Sequence, residues 1–285
     1  MSIRGGLITA LITPFKDDGS IDFDSLESLV EQQVAGGVEG FVISGTTAES
    51  PNLSPDEIES IFKAVKGHVP DDFQMIIGAG NNSTSSTVER IQRFDALDSD
   101  GFLIVVPYYN KPTQAGMIAH FKEAAAATKK DILLYDVPGR TIVEMSVDTV
   151  VELSSISNIV GIKDATGNLE KAKVLKESLS PGFLLLSGDD GSTVDFIKLG
   201  GHGAISVLAH VVPKELKASM KSGEGFERLA YLCSLLFSEP NPTPVKRALK
   251  EMGVIKDDQL RLPLLRMTDE GSESLLTEMI KVGLC

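Results

Sequence analysis

Lys163 directly follows the apolar run Ile159-Val160-Gly161-Ile162, so it closes a strand-like segment instead of lying on a helix surface. An ammonium at such a place must be held near apolar walls. Apolar surroundings favour the uncharged form of an amine, and the uncharged form is what attacks a ketone to give a Schiff base. Tyr135 ends the preceding apolar run. A phenol there could pass a proton to or from the carbinolamine that precedes a Schiff base. Ser44-Gly45-Thr46-Thr47 is a glycine turn with two hydroxyls and backbone N–H groups able to cradle a carboxylate. Arg140, after Pro138-Gly139, could hold a second carboxylate by a bidentate pair. Each has a plainer alternative: a core tyrosine, an ordinary loop turn, and a salt bridge from Arg140 to Asp136 or Glu144.

These residues need elements to bring them together. Apolar runs cover residues 7–12, 40–44, 73–77, 101–106, 131–137, 159–162, 183–187 and 203–207. They are apolar throughout rather than alternating, which indicates parallel strands covered on both faces. Amphipathic stretches lie between them, among them 24–35, 55–65, 86–96, 115–128 and 147–153. Several open on capping signals such as Ser54-Pro55-Asp56-Glu57 and Ser146-Val147-Asp148. Eight such units predict an α/β fold, the (β/α)8 TIM barrel. An open doubly wound sheet is the alternative, but Thr9-Ala10-Leu11-Ile12-Thr13-Pro14 lacks its glycine fingerprint. Helical patterns at 212–220, 226–237, 244–252 and 274–282 follow the eighth strand. The expected organisation is a barrel over 1–209 and a C-terminal helical extension over 210–285, packed on the barrel.

In a barrel of this kind chemistry sits where strands end and βα loops begin. Those ends carry Thr46-Thr47, Tyr108-Tyr109, Tyr135, Arg140, Lys163, Gly188 and Ile205, so hydroxyls, one lysine and one arginine are expected at a common mouth. The chain has 285 residues, 42% of them apolar and 24% charged, ample for a large core. Its net charge of −13 argues against nucleic acid and anionic membranes as partners, since phosphate binding rests on clustered Lys and Arg. Small anionic substrates remain compatible, because a few local donors hold a carboxylate. The two cysteines form no CxxC and the four histidines no metal-ligand spacing, so neither a disulfide framework nor a metal site is expected. No apolar run reaches membrane-spanning length or resembles a signal segment, and a cytoplasmic location is the expectation.

Five segments, in order and at strand ends, are similar to those of a known family. They are 45–50 (Gly-Thr-Thr-Ala-Glu-Ser), 107–112 (Pro-Tyr-Tyr-Asn-Lys-Pro), 135–141 (Tyr-Asp-Val-Pro-Gly-Arg-Thr), 161–164 (Gly-Ile-Lys-Asp) and 187–190 (Ser-Gly-Asp-Asp). Together they resemble the 4-hydroxy-tetrahydrodipicolinate (dihydrodipicolinate) synthases of the pyruvate-dependent class I aldolase and lyase superfamily. The resemblance implies that Lys163 forms a Schiff base with pyruvate and that no separate cofactor is used. Thr47, Tyr109 and Tyr135 would form a proton relay, with Tyr109 reaching a neighbouring subunit's site. The N–H groups of Thr46 and Thr47 would hold the pyruvate carboxylate. Arg140 would bind that of L-aspartate 4-semialdehyde, and the carbonyls of Gly188 and Ile205 would lie near the ketimine. A homotetramer or homodimer is implied.

Sister lyases acting on a sugar-derived 2-keto acid are the alternative, and Arg140 speaks against them. Three departures stand out. Asp136 replaces the family's usual asparagine and would add a negative charge near Arg140. Leu208-Ala209-His210 replaces the usual Thr-Ala-Asn. Pro51, Pro55 and Ile58 stand where lysine-inhibited members carry histidines and Ser86 where they carry a glutamate, although Asn82 and Tyr108 remain, so feedback inhibition by lysine is expected to be weak or absent.

Overall fold

The computed structural model describes residues 2–285. Eight parallel strands close in chain order into a barrel: β1 (Gly6–Ala10), β2 (Gly40–Ile43), β3 (Gln74–Gly78), β4 (Gly101–Val105), β5 (Asp131–Asp136), β6 (Ile159–Asp164), β7 (Leu184–Ser187) and β8 (Gly203–Ser206). The expected (β/α)8 fold is what the chain adopts. All five residues of β3 and all four of β2 are buried, which is why these strands show no polar alternation. β6 runs past the last apolar residue, Ile162, and includes Lys163 and Asp164.

By contacts the chain divides into two compact units, Met1–Gly6 with Gln74–Ile205 and Leu7–Phe73 with Ser206–Cys285. In the first, β3 to β8 pair in sequence, and β5 meets β6 in the register Leu134↔Ile162, Tyr135↔Lys163, Asp136↔Asp164. The neighbouring strand comes so near β6 that a Cβ on Gly161 would lie 2.6 Å from both Leu184 Cβ and the Leu184 carbonyl oxygen. Only glycine fits two residues before Lys163.

In the second unit β1 pairs with β2, and the helix Phe23–Ala35 follows β1. Gln33 on that helix accepts from Thr9 Oγ1 at 2.7 Å and donates to the carbonyls of Ala209 and His210. The helix Pro55–Lys66 begins with a complete capping box. Ser54 accepts from the Glu57 N–H, Glu57 accepts from the Ser54 N–H, and Ile58, Ile61, Phe62 and Val65 form the buried stripe.

After β8 the chain forms helices Pro213–Ser222, Ala230–Leu235, Thr243–Glu251 and Asp269–Lys281. The helical pattern over 226–237 is broken into a 3-10 turn at Phe226–Arg228, entered from left-handed Gly225 (φ +88°), and the α-helix Ala230–Leu235. The last helix starts five residues earlier than its apolar pattern, where Thr268 accepts the Gly271 N–H and Asp269 and Glu270 fill the first turn. No helix is long and apolar enough to cross a membrane.

Candidate active site

Strand register fixes the first pair of residues. Tyr135 and Lys163 face each other across β5 and β6, so their side chains leave the sheet on the same side. Lys163 Nζ lies 4.3 Å from the centroid of the Tyr135 ring. Both residues are buried, at 6% and 7% exposure. Among the described residues the Lys163 amine makes no hydrogen bond or ion pair. The contrast with two other buried lysines is direct: Lys171 Nζ meets Asp136 at 2.7 Å and Lys246 Nζ meets Glu49 at 2.6 Å. A buried amine without a counter-ion, set against a phenol, is available for bond formation.

Gly188, just past β7, makes room for it. A Cβ there would sit 2.7 Å from Lys163 Cε and 2.8 Å from the Ala165 methyl, and the Gly188 N–H donates to the Asp164 carbonyl at 2.7 Å. Ile205, on β8, is buried. Arg140 lies in the one-turn helix Pro138–Thr141 and is exposed. It forms neither of the salt bridges named as its plainer reading. Lys171 occupies both acids instead, at 2.7 Å from Asp136 and 3.6 Å from Glu144. The negative charge that Asp136 was expected to set near Arg140 therefore belongs to an ion pair with Lys171.

Asp136 and Asp164 alternate away from Tyr135 and Lys163 and are buried. Asp136 Oδ2 accepts from Lys171 and from the Met145 N–H, whereas Asp136 Oδ1 and Asp164 Oδ2 have no donor. Burial pushes the Asp136 carboxyl up to about 6, against the pull of Lys171 and with a smaller push from Asp164.

Tyr109 stands apart from Lys163's pocket in character. It is 85% exposed and its backbone is left-handed, φ 74°, with Asn110 next to it donating to the Asn82 carbonyl at 2.8 Å. A non-glycine residue at positive φ is strained and points to a constraint on where the ring is placed.

Thr46 and Thr47 follow β2 in the other unit. Thr46–Ala48 is a 3-10 turn between two left-handed residues, Ser44 (φ 60°) and Glu49 (φ 58°). Within it the Ala48 and Glu49 N–H groups bond back to Gly45 and Thr46, while the N–H groups of Thr46 and Thr47 have no acceptor among the described residues. Two successive free N–H groups can both donate to an anion.

The turn is held by residues that the sequence pattern did not reveal. Asn241 Nδ2 donates to Thr47 Oγ1 at 3.0 Å. Lys246, fully buried, donates to Glu49 Oε1 at 2.6 Å and to the Gln259 carbonyl at 2.9 Å, and the Arg261 N–H binds Glu49 Oε2 at 3.0 Å. Lys246 and Arg261 flank the Phe15 ring at 4.3 and 4.4 Å. In the sequence Asn241-Pro242-Thr243-Pro244 reads only as a turn. Lys246 set among Val245, Ala248 and Leu249 in a helical pattern was the one available signal.

The chain matches the model of the Dihydrodipicolinate synthetase family over residues 4–281. It is 43% identical over 287 residues to the 4-hydroxy-tetrahydrodipicolinate synthase of Bdellovibrio bacteriovorus, covering 98% of each chain. Among solved structures it superposes with TM-score 0.94 and 38% identity, over the whole of both chains, on chloride-inhibited dihydrodipicolinate synthase from Acinetobacter baumannii complexed with pyruvate. The enzyme from Cyanidioschyzon merolae with lysine bound superposes with TM-score 0.95 and 36% identity, again over both whole chains.

Proposed function

From the chain's membership of the dihydrodipicolinate synthetase family, we propose that it condenses pyruvate with L-aspartate 4-semialdehyde, the 4-hydroxy-tetrahydrodipicolinate synthase reaction of the diaminopimelate route to lysine. It is a Schiff-base-forming enzyme of the class I aldolase type. The observation that carries this reading is the buried Lys163 amine, free of any counter-ion and 4.3 Å from the Tyr135 ring.

Lys163 Nζ attacks C2 of pyruvate, and the carbinolamine loses the former carbonyl oxygen as water to give an imine. Loss of a methyl proton gives an enamine, whose carbon attacks the aldehyde of the semialdehyde. The amine of that second substrate then displaces Lys163 by transimination, which closes the ring and regenerates the lysine. The protons move through Tyr135, Thr47 and Tyr109. The free N–H groups of Thr46 and Thr47 suit the pyruvate carboxylate, and Arg140, exposed and without a side-chain partner among the described residues, suits the carboxylate of the semialdehyde. The carbonyls of Gly188 and Ile205 lie along the ketimine. The lysine itself carries the substrate, so no separate cofactor enters. Tyr109 working across an interface makes a homodimer the smallest active form, with a homotetramer as the full assembly. The division into a barrel, 1–209, and a helical extension, 210–285, belongs to the same reading.

Borohydride reduction in the presence of pyruvate tests the first step: a mass gain confined to Lys163 is expected, and its absence would sink the reading. A coupled assay that offers aspartate semialdehyde against sialic acid tests the second substrate. Turnover of sialic acid alone would turn the assignment to a sister lyase.

A further inference from the structure

We infer that Lys171 is a positioning residue that holds the loop bearing Arg140 against the loop that leaves Lys163, and so sets the site of the second substrate relative to the first. This rests on the reading that Arg140 receives the carboxylate of the semialdehyde. Arg140 is exposed and its side chain has no partner among the described residues, so its place is set by its backbone. That backbone is an excursion. The chain leaves β5 at Asp136, turns through the helix Pro138–Thr141 and returns at Met145, whose N–H donates to Asp136 Oδ2 at 3.2 Å. At the turn Ile142 has φ 69° while its side chain is 64% exposed. A β-branched residue is strained at such a φ, and the strain persists only where the surroundings over-determine the conformation. Packing of Ile142 itself does not supply that. Part comes from Thr141, which donates to the Val143 carbonyl at 2.7 Å, and part from Gln114 on the preceding helix, which donates to the Glu144 carbonyl and accepts the Ser146 N–H.

Lys171 closes the excursion from the other side. Its Nζ meets Asp136 Oδ2, at the start of the loop, at 2.7 Å and lies 3.6 Å from Glu144 Oε2 near its end. The two side chains of the first contact are 8% and 0% exposed, so salt and solvent screen it little. The lysine is anchored in turn on the Lys163 side. Asp164, next to Lys163, accepts the Thr166 N–H at 2.9 Å, and Thr166 Oγ1 accepts the Asn168 N–H at 3.1 Å. Asn168 then caps the helix Leu169–Ser178 by accepting the Lys171 N–H at 3.1 Å. One ammonium therefore joins the strand end that carries the nucleophile to both ends of the loop that carries Arg140. Asp136 is the buried arm of this clip, and Glu144, half exposed, the weaker one.

The test is Lys171→Met, which keeps an unbranched apolar stem and removes the charge. With pyruvate saturating, the KM for aspartate semialdehyde should rise about tenfold, because a displaced binding group holds its substrate less well. The KM for pyruvate should stay within about threefold of the wild type, with normal borohydride trapping at Lys163. A second background separates positioning from general loosening. Arg140→Ala should itself raise the semialdehyde KM, and adding K171M should then raise it no further, since Lys171 acts through Arg140. The same multiplication of KM in both backgrounds would overturn the inference. So would a parallel rise in the KM of both substrates, or an unchanged semialdehyde KM in folded K171M. If K171M does not fold, because it strands the buried Asp136 carboxylate, Asp136→Asn with Lys171→Met removes both charges and decides by the same readouts. Three outcomes keep the questions apart. Absence of trapping in the wild type refutes the functional reading and the inference with it. R140A with a wild-type semialdehyde KM refutes the role of Arg140, and again the inference. Wild-type-like K171M beside an impaired R140A refutes only the role of Lys171.

Discussion

Gly188 decides how much room the Lys163 side chain has. A methyl there would press to 2.7 Å on Lys163 Cε, 2.9 Å on Lys163 Cγ and 2.8 Å on the Ala165 methyl. Gly188→Ala is expected to fold and to lower kcat/KM by about 10- to 100-fold, because a displaced nucleophile misses its attack geometry. Steady-state kinetics with pyruvate held saturating would check it, and wild-type rates would remove Gly188 from the site. His210 makes a different statement. Its Nε2 accepts the Ile12 N–H at 3.2 Å, so Nδ1 carries the proton and donates to the Val207 carbonyl at 2.9 Å. Burial pushes it down to about 4, so the folded protein keeps it neutral while the unfolded chain protonates near 6.5. The stability this contributes is present above pH 6.5 and lost as pH falls toward 4, a difference of roughly 3 kcal/mol. Asp136 works in the opposite sense, because a carboxyl raised to about 6 destabilises the fold above that pH and ceases to do so on acidification. His210→Asn, which removes only the first group, should flatten the acid side of the stability curve in urea titrations at pH 4–7. An unchanged curve would show that His210 takes up its proton equally in the folded and unfolded states.

Among the elements, the helix Thr243–Glu251 carries more than its own packing. Lys246 on it is fully buried against Glu49, and burial pulls the ammonium down to about 8 in spite of that partner. Removing one member of such a pair strands the other charge in the interior. Lys246→Ala is expected to lower unfolding free energy by about 3–5 kcal/mol. Replacing both, as Lys246→Met with Glu49→Leu, should recover much of that loss but still depress kcat, because the left-handed turn at Glu49 loses its anchor. Chemical denaturation of the single and double variants measures the first effect and kinetics the second. The Arg261–Glu57 pair differs in kind. Arg261 holds the Glu57 carboxyl down to about 2, but both side chains stay partly exposed, so solvent screens the pair and its removal should cost about 1 kcal/mol or less.

For the whole molecule, Tyr109 bears on the proposed assembly and the segment after the Thr46-Thr47 turn on regulation. Tyr109, 85% exposed on strained backbone, is where the proposed reading puts a neighbouring subunit. Sedimentation velocity should therefore find a dimer or tetramer at micromolar concentration, and a fully active monomer would refute a role for Tyr109 across an interface. Feedback by lysine is expected to be absent below millimolar concentration. Ile58 is buried in the face of its helix, and Pro51 and Pro55 offer no hydrogen-bonding side chain to an effector. An inhibition curve with a sub-millimolar half-point would overturn this.

The sequence by itself determined the barrel and its central pair. Eight runs without polar alternation indicate parallel strands covered on both faces, and a lysine closing one such run meets a tyrosine closing the previous one where those strands pair in register. Those are local patterns read at a fixed spacing, so no distant contact is needed to see them. Tertiary structure alone decided the rest. Asn241 reaches Thr47 across 194 positions and Lys246 reaches Glu49 across 197, and no periodicity encodes a pairing at that separation. The partner of Asp136 was equally hidden: Lys171 sits on a helix 35 positions away and looks like any solvated lysine until the fold buries it. Ion pairing, which only the folded chain establishes, is what separates buried Lys163, with no carboxylate partner among the described residues, from Lys171 and Lys246, which have one.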